Sequence, residues 1–215
     1  MDRRNGQMKA DKIIFATGNA DKMREIQMIM ADLGLGIQSM KEAGIDMEIA
    51  ENGTTFEENA MIKASAIAQE LKTRNVQAIV LADDSGLEID YLDKAPGVYS
   101  ARYMGEDTPY SVKNANLIKQ LEGVPDEKRT ARFVCVIAAV FPDGSSYTTR
   151  AAIEGRIGYE ERGQNGFGYD PIFFLPEYGM YSAELAPEEK NRISHRGKAL
   201  EEMKRVLKRA AEETI

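Results

Sequence analysis

The sequence has few of the features that mark secreted or membrane-spanning proteins. Its one cysteine, Cys135, excludes an internal disulfide, and the surrounding apolar run FVCVIAAV is typical of a packed core thiol. No stretch approaches the ~18 apolar residues of a membrane span. The polar start MDRRNGQMKADK lacks the apolar centre of a signal peptide. We therefore expect a soluble, cytoplasmic protein that does not associate with membranes.

Positive charge is also in short supply, with 28 Lys and Arg residues against 35 Asp and Glu residues and a formal net charge of -7. Because nucleic-acid-binding surfaces need clustered positive charge, this balance argues against a DNA or RNA partner. An anionic ligand would need local positive charge or a metal ion. The length of 215 residues and the hydrophobic content of 43% suit one large domain or two small lobes with an ample core.

The stretch IIFATGNADKMREI has neither the GxxxxGK[ST] nor the GxGxxG pattern, yet it has the physical features of an anion-binding turn. An apolar strand stops at Ala16, and Asn19 or Asp21 can cap a following helix. A helix start offers backbone N–H groups and a positive dipole end. Gly18 permits close approach of the backbone, and Lys22 adds a charge. The alternative is an ordinary strand–turn–helix with a surface lysine.

Hydrophobic periodicity predicts a mixed α/β chain without internal repeats or a low-complexity linker. The predicted strands cover residues 12–16, 78–82, 87–91, 132–141 and 145–154, and the predicted helices cover residues 22–33, 56–73, 109–121 and 196–213. Thr55 with Glu58 fits a capping box, and Thr108 before Pro109 fits an N-cap followed by a first-turn proline. A PDG turn between the last two strands predicts a hairpin.

Acidic residues stand beside two buried segments. In ENGTTFEENAMIKA, Glu51 precedes a flexible Asn-Gly and a helix start, and Lys63 falls about two turns into that helix, where a surface role is the alternative. In AIVLADDSGLEID, we expect a buried strand to end at Asp83 and Asp84, whose side chains point to opposite faces. Carboxylates at such a strand end lie where ligands bind in open α/β sheets, and an acidic pair suits Mg²⁺. The alternative is a plain DDSG turn.

Two stretches near the C-terminus combine glycine, aromatic and basic residues. In GQNGFGYDPIFFLP, glycines surround Phe167, whose ring is suited to stacking on a base, whereas a core role is the competing interpretation for Tyr169 and Phe173. In EEKNRISHRGKAL, the only histidine, His195, stands beside Arg196 at a predicted helix start. Such a start is suited to anions or carbonyl oxygens.

Six motifs, in order along the chain, resemble those of the inosine triphosphate pyrophosphatase family, whose members remove non-canonical purine nucleotides: ATGNADK, TTFEENAMIKA, ADDSGLEID, APGVYSARY, GFGYDPIF and KNRISHRGKAL. The resemblance implies an α/β fold of the inosine-triphosphatase type, with a long bent mixed β-sheet and flanking helices that form two lobes around a cleft. It also implies a homodimer. Residues 1–11 would be an N-terminal extension, and residues 12–215 a single two-lobed domain.

The resemblance further implies Mg²⁺-dependent hydrolysis of dITP, ITP or XTP to the monophosphate and pyrophosphate. Asp84 would be the catalytic proton acceptor that activates water, and Glu51 and Asp84 would bind the metal. The residues that would bind the substrate are Thr17, Gly18, Asn19, Lys22, Lys63, Ser85, Phe167, Gly168, Tyr169, Asp170, Lys190, His195 and Arg196.

Two other functions stay open on the sequence alone. One is a pyrophosphatase for modified pyrimidine or standard nucleotides on the same scaffold, which a panel of substrates would separate. The other is a nucleotide-binding sensor without turnover. Glu51 and Asp84 argue against the sensor, because a protein that only binds gains little from a water-activating acid.

Overall fold

The computed structural model describes residues 12–212, so the predicted extension at residues 1–11 lies outside the described range. Over this range the chain forms a mixed β-sheet with flanking helices. The strands are β1 Lys12–Phe15, β2 Gly36–Ser39, β3 Ile79–Ile89, β4 Thr130–Val140, β5 Ser146–Ile157, β6 Phe173–Leu175 and β7 Met180–Tyr181. The α-helices are α1 Ala20–Ile29, α2 Phe56–Thr73, α3 Tyr110–Gln120, α4 Pro187–Ile193 and α5 His195–Glu212.

The sheet joins the strands in the order β2-β1-β3-β4-β5-β6-β7. Strand β1 pairs in parallel with β2 and β3, whereas β6 pairs antiparallel with β5 and β7. The consecutive neighbours β4 and β5 are joined by residues 141–145 and form the predicted hairpin. The predicted mixed sheet of an α/β fold is therefore confirmed.

The chain divides into two compact units. Unit 1 comprises the described parts of Met1–Asp83, Val136–Thr149 and Leu200–Ile215, and unit 2 comprises Asp84–Cys135 and Arg150–Ala199. Each unit has an apolar interior of its own, with Ile13, Phe15 and Ile26 fully buried in unit 1 and Leu87 and Phe173 fully buried in unit 2. The predicted arrangement of two lobes around a cleft stays a prediction.

The predicted break between strands at residues 78–82 and 87–91 is wrong, because β3 is continuous through the acidic DDSG segment. The sequence of this segment favours a turn, because Asp, Ser and Gly are common in turns. Here a partner for the buried acid permits a strand instead, since Lys22 donates to the Asp83 carboxylate at 2.6 Å. Beyond the segment, the Leu87 amide donates to the Ser100 hydroxyl at 2.9 Å.

Two predicted helix N-caps are confirmed. The Asn19 side chain accepts hydrogen bonds from the amides of Asp21 and Lys22 at 2.9 and 3.0 Å, so α1 begins two residues before the predicted start. Thr55 and Glu58 form the predicted capping box at the start of α2. Helix α1 also ends earlier than predicted, and a short 3-10 turn occupies residues 31–33.

The predicted cap at Thr108 is wrong. Its hydroxyl donates to the Met104 carbonyl at 2.7 Å, and Pro109 itself occupies the N-cap position of α3 with extended backbone angles. The Thr108 side chain is therefore used within the preceding turn. The short elements β2, β6, β7 and α4 were not predicted, because segments of two to seven residues are too short to show a hydrophobic period.

No helix within residues 12–212 has both the length and the apolarity needed to cross a bilayer.

Arg129 holds together several chain segments of unit 2. Its side chain is 1% exposed, and its guanidinium donates to the carbonyl oxygens of Leu121, Ile157 and Gly158 at 2.6, 2.8 and 2.7 Å. The exposed ring of Tyr159 lies over the guanidinium, 4.2 Å from its carbon to the ring centroid. One buried cation thus donates to carbonyl oxygens from three places in the chain and ties them together.

We expect Arg129→Ala to lower the free energy of unfolding by about 2 kcal/mol or more, because each buried carbonyl oxygen left without a donor costs about 1–3 kcal/mol. The Leu121 carbonyl keeps a second donor, the Val124 amide at 3.1 Å. The measurement is unfolding by urea. Arg162→Ala is the control, because Arg162 forms an exposed ion pair with Glu160 and its loss should change stability by less than about 1 kcal/mol. Equal effects of the two substitutions would contradict this role of Arg129.

Candidate active site

The turn between β1 and α1 in unit 1 is built as an open helix start. Thr17 and Asn19 brace it, since the Asn19 amide donates to the Thr17 hydroxyl at 3.1 Å while the Asn19 side chain caps the helix. Gly18 and Asn19 are exposed, and a Cβ placed on Gly18 would meet nothing within 4 Å. The turn therefore leaves room for a group that approaches the N-terminus of α1.

Lys22 is held at this helix start by a buried carboxylate. Its Nζ lies 2.6 Å from Asp83 Oδ1, and the Asp83 side chain is fully buried. A buried carboxylate needs such a partner, because an unpaired charge in the interior is strongly destabilising. The sequence predicted that the side chains of Asp83 and Asp84 point to opposite faces, and in the structure the contact to Lys22 accounts for Asp83.

Glu51 and Lys63 form a second acid–base pair in unit 1, with 3.2 Å between Lys63 Nζ and Glu51 Oε2. Lys63 is buried rather than a surface lysine. The loop after Glu51 is pressed against α2, because the Gly53 amide donates to the Asn59 side chain at 2.9 Å. A Cβ on Gly53 would lie 2.7 Å from Asn59 Oδ1 and from Glu58 Cβ, so only glycine fits without a shift.

Asp84 and Ser85 open the part of β3 that belongs to unit 2. Asp84 is 6% exposed, which is low for an aspartate. Arg196 is 2% exposed, and its Nη2 donates to the Ser85 hydroxyl at 3.0 Å. This contact joins two predicted substrate-binding residues that are 111 positions apart in the sequence.

Asp170 organises the glycine-rich loop around Phe167. Its Oδ2 accepts from Lys190 Nζ at 2.7 Å and from the Phe167 amide at 2.8 Å, and its Oδ1 accepts from the Ser182 hydroxyl at 2.7 Å. Gly166 has φ +72°, and a Cβ there would lie 2.3 Å from Asp170 Oδ2. The carboxylate thus occupies the space that only a glycine leaves.

The Phe167 ring is half-buried, and two cationic side chains lie close to it. Lys190 Nζ lies 5.0 Å from the ring centroid, and the guanidinium carbon of Arg196 lies 5.6 Å from it. Cations at this range are attracted to the face of an aromatic ring. Phe167, Lys190 and Arg196 therefore form one cluster, which we call the aromatic–basic cluster.

Tyr169, which follows Gly168, anchors the loop in the interior of unit 2. Tyr169 is 5% exposed, its hydroxyl donates to the Ser100 carbonyl at 2.7 Å, and its ring packs edge-on against Tyr110 with centroids 5.1 Å apart. Burial raises the pKa of the Tyr169 hydroxyl above its ordinary value, so the group stays a protonated donor. The core interpretation is thus confirmed for Tyr169 and also for the fully buried Phe173. Contact of Tyr169 with a substrate stays a prediction.

His195 begins α5 and is 7% exposed. Its ring stacks on Phe133, with centroids 4.9 Å apart and 22° between the planes. Ser194 caps this helix, accepting from the Gly197 amide at 3.0 Å. The packing of the ring fixes the direction of the imidazole at the helix start.

The structure brings together in unit 1 the predicted residues Thr17, Gly18, Asn19 and Lys22 at one helix start and Glu51 and Lys63 as a pair. In unit 2 it brings together Ser85, Phe167, Asp170, Lys190 and Arg196. Sequence reasoning missed the groups that hold these side chains, among them Ser182, Ser100 and Asn114. Their positions in the sequence carry no signal, because each contact joins residues more than ten positions apart.

Comparison with known proteins decides the family. A sequence model of the Ham1 family matches residues 13–206 of the chain. The chain belongs to the Ham1 family.

Relatives of this Ham1 family member include a protein of Clostridium perfringens named dITP/XTP pyrophosphatase, which is 48% identical over 198 residues, 92% of this chain and 97% of that protein. Two solved structures share the fold. The HAM1 protein from Coxiella burnetii has a TM-score of 0.81 at 40% identity, and the Staphylococcus aureus Ham1 protein has a TM-score of 0.80 at 36% identity. Each alignment covers 92% of this chain and 98% of the other.

We expect Gly53→Ala to displace the Glu51 loop of this Ham1 chain and to lower turnover about tenfold, with a stability cost of about 1–3 kcal/mol from overpacking. The measurements are nucleotide turnover and thermal unfolding. Gly36→Ala is the matched control in the same unit, because a Cβ on Gly36 would meet nothing within 4 Å. Full activity of Gly53→Ala would show that the tight approach of Gly53 does not position Glu51.

Proposed function

We propose that the chain hydrolyses the non-canonical purine nucleoside triphosphates dITP, ITP and XTP to the monophosphate and pyrophosphate, and so removes them from the nucleotide pool. The observation that carries the proposal is the aromatic–basic cluster, in which two cations approach a half-buried ring. The near-full-length identity to a protein named dITP/XTP pyrophosphatase supports it.

The aromatic–basic cluster suits a purine with an oxygen at C6. The ring of Phe167 offers a surface on which a base can stack, a contact worth about 1–3 kcal/mol. Hypoxanthine and xanthine present an acceptor oxygen at C6, whereas adenine presents a donor amine. A donor such as Arg196 or His195 would pair with the oxygen and leave the amine unpaired. A site built on such a hydrogen bond rejects the mismatched base strongly.

The groups of unit 1 suit the phosphates. The start of α1 offers the positive end of a helix dipole beside the exposed Gly18, and Lys22 and Lys63 add two cations. Both lysines are held by carboxylates, so each ammonium is already oriented before a phosphate arrives. Thr17 and Asn19 keep the turn in the shape that exposes its backbone.

The proposed metal is Mg²⁺, held by few protein ligands. Within residues 12–212, no group of three or more His, Cys, Asp or Glu side chains is placed to hold a metal by itself. Mg²⁺ commonly takes only one or two carboxylates and completes its shell with water and substrate phosphates. We propose Glu51 and Asp84 as those carboxylates. Bound there, the ion would offset negative charge on the phosphate oxygens.

Asp84 then acts as the proton acceptor. Water attacks the α-phosphorus, one water proton passes to the Asp84 carboxylate, and the bond to the bridging oxygen breaks as pyrophosphate leaves. Lys22 and Lys63 stabilise the charge that develops on the phosphates. The half-buried Phe167 holds the base and so fixes the position of the α-phosphorus.

Family resemblance also supports a homodimer, a cytoplasmic location and the absence of nucleic-acid partners, and we include these in the proposal. The continuous family match over residues 13–206 supports a single domain over residues 12–215. Two alternatives remain. Failure to hydrolyse any nucleotide would favour a sensor without turnover, and hydrolysis of pyrimidine or standard nucleotides would favour a pyrophosphatase with a different substrate.

The direct test is pyrophosphate release from dITP, XTP, dGTP, dATP and dTTP, each with Mg²⁺ and with EDTA. We expect release from dITP and XTP alone, and none with EDTA. Asp84→Asn should keep the fold and lower turnover at least about a hundredfold, the usual contribution of a general base. Release from all five nucleotides would overturn the substrate assignment, and near-normal turnover by Asp84→Asn would overturn the role of Asp84.

Arg196→Ala should lower the preference for dITP over dATP at least about tenfold, because the donor for the C6 oxygen is lost. The measurement is kcat/KM for both nucleotides. Arg192→Ala is the matched control, since Arg192 is an exposed arginine four positions earlier. Arg196→Lys keeps the charge and should recover part of the preference. An unchanged preference in Arg196→Ala would contradict this account of base choice.

A further inference from the structure

Asn114 in α3 contacts the glycine-rich loop, and no step of the proposed mechanism uses it. Its side chain is 1% exposed. Its Nδ2 donates to Glu161 Oε1 at 2.6 Å and to the Gly168 carbonyl at 3.3 Å. Since both neighbours accept hydrogen bonds, the amide nitrogen must face them, and the orientation of the amide follows.

The Asn114 side chain destabilises the fold locally. Its Oδ1 is buried and has no hydrogen-bond partner within the part of the chain that the structure describes. A buried acceptor without a donor destabilises a fold, and an apolar side chain at this position of α3 would avoid that cost. Such a local cost is expected where a residue serves a site rather than packing alone.

The loop needs outside contacts to hold Phe167 in one direction. Gly166 and Gly168 flank Phe167 with φ +72° and +68°, and glycine restricts the backbone less than any other residue. Asp170 holds the loop on one side through the Phe167 amide. Asn114 holds it on the other side through the Gly168 carbonyl. The two contacts fix peptide groups that lie before and after the Phe167 side chain.

We propose that Asn114 is a positioning residue that sets the direction of the Phe167 ring for stacking on a base, and that Glu161 orients the Asn114 amide. The part that concerns the base rests on the proposed function. The positioning of the ring does not, so the two can be tested separately.

The ring can be followed without any nucleotide, because the chain contains no tryptophan. Phe167→Trp introduces a single reporter at the position in question. In this background, Asn114→Ala should increase the fast, local part of the fluorescence anisotropy decay of the new indole. An unchanged decay would overturn the proposal, whether or not the chain hydrolyses any nucleotide.

Kinetics on the chain with Phe167 retained test the second half. Asn114→Ala should raise KM for ITP about fivefold, which corresponds to about 1 kcal/mol, and leave kcat within about twofold. Inhibition by tripolyphosphate, which carries no base, should not change. A fall in kcat at constant KM, or equally weakened inhibition by tripolyphosphate, would show that Asn114 does not act through the base. Absence of ITP turnover in the parent chain would instead count against the proposed function alone.

Two neighbouring residues supply the controls. Asn116→Ala makes the same change two positions along α3, where the side chain accepts instead from Tyr103 and Gln120, so KM and anisotropy should stay at the parent values. Glu161 lies on the surface, so Glu161→Ala replaces Asn114→Ala in the test if the latter fails to fold. KM is expected to rise about twofold in Glu161→Ala. Glu161→Gln retains an acceptor oxygen and should restore the parent KM. A Glu161→Ala variant that matches the parent in both measurements would overturn the role of Glu161.

Discussion

The arrangement of unit 2 depends on one buried carboxylate, that of Asp170. Both partners of its ion pair with Lys190 are almost fully buried, with side-chain exposures of 4% and 5%. Burying two charges costs free energy that their attraction offsets only when further hydrogen bonds complete the geometry. Here the Ser182 hydroxyl and the Phe167 amide supply those bonds. The same carboxylate therefore stabilises the interior and shapes the loop that carries the aromatic ring.

In unit 1, each of the two lysines proposed to bind phosphate is paired with a carboxylate. Lys22 with Asp83, and Lys63 with Glu51, are ion pairs in which at least one side chain is largely buried. A lysine held in this way has lost its rotamer freedom before a ligand arrives, so the ligand does not have to order it. The excess of acidic residues over the whole chain thus coexists with local groups that suit an anion.

Local patterns predicted the longer elements well, and long-range contacts account for the failures. Helix α2 and its capping box followed from Thr55, Glu58 and the apolar period, because these signals lie within a few residues of one another. The strand was wrongly predicted to end at the acidic segment of β3, because nothing near Asp83 in the sequence reveals Lys22, 61 positions away. The motifs identified Phe167 and Arg196. They did not identify Asn114, because its contact to Gly168 spans 54 positions.

In the proposed reaction, water attacks the α-phosphorus of a purine nucleoside triphosphate. Hydrolysis of ITP in water enriched in oxygen-18, followed by mass spectrometry of the products, tests it most directly. We expect one labelled oxygen in the monophosphate and unlabelled pyrophosphate. Label in pyrophosphate, or release of orthophosphate from ITP as the first product, would contradict it.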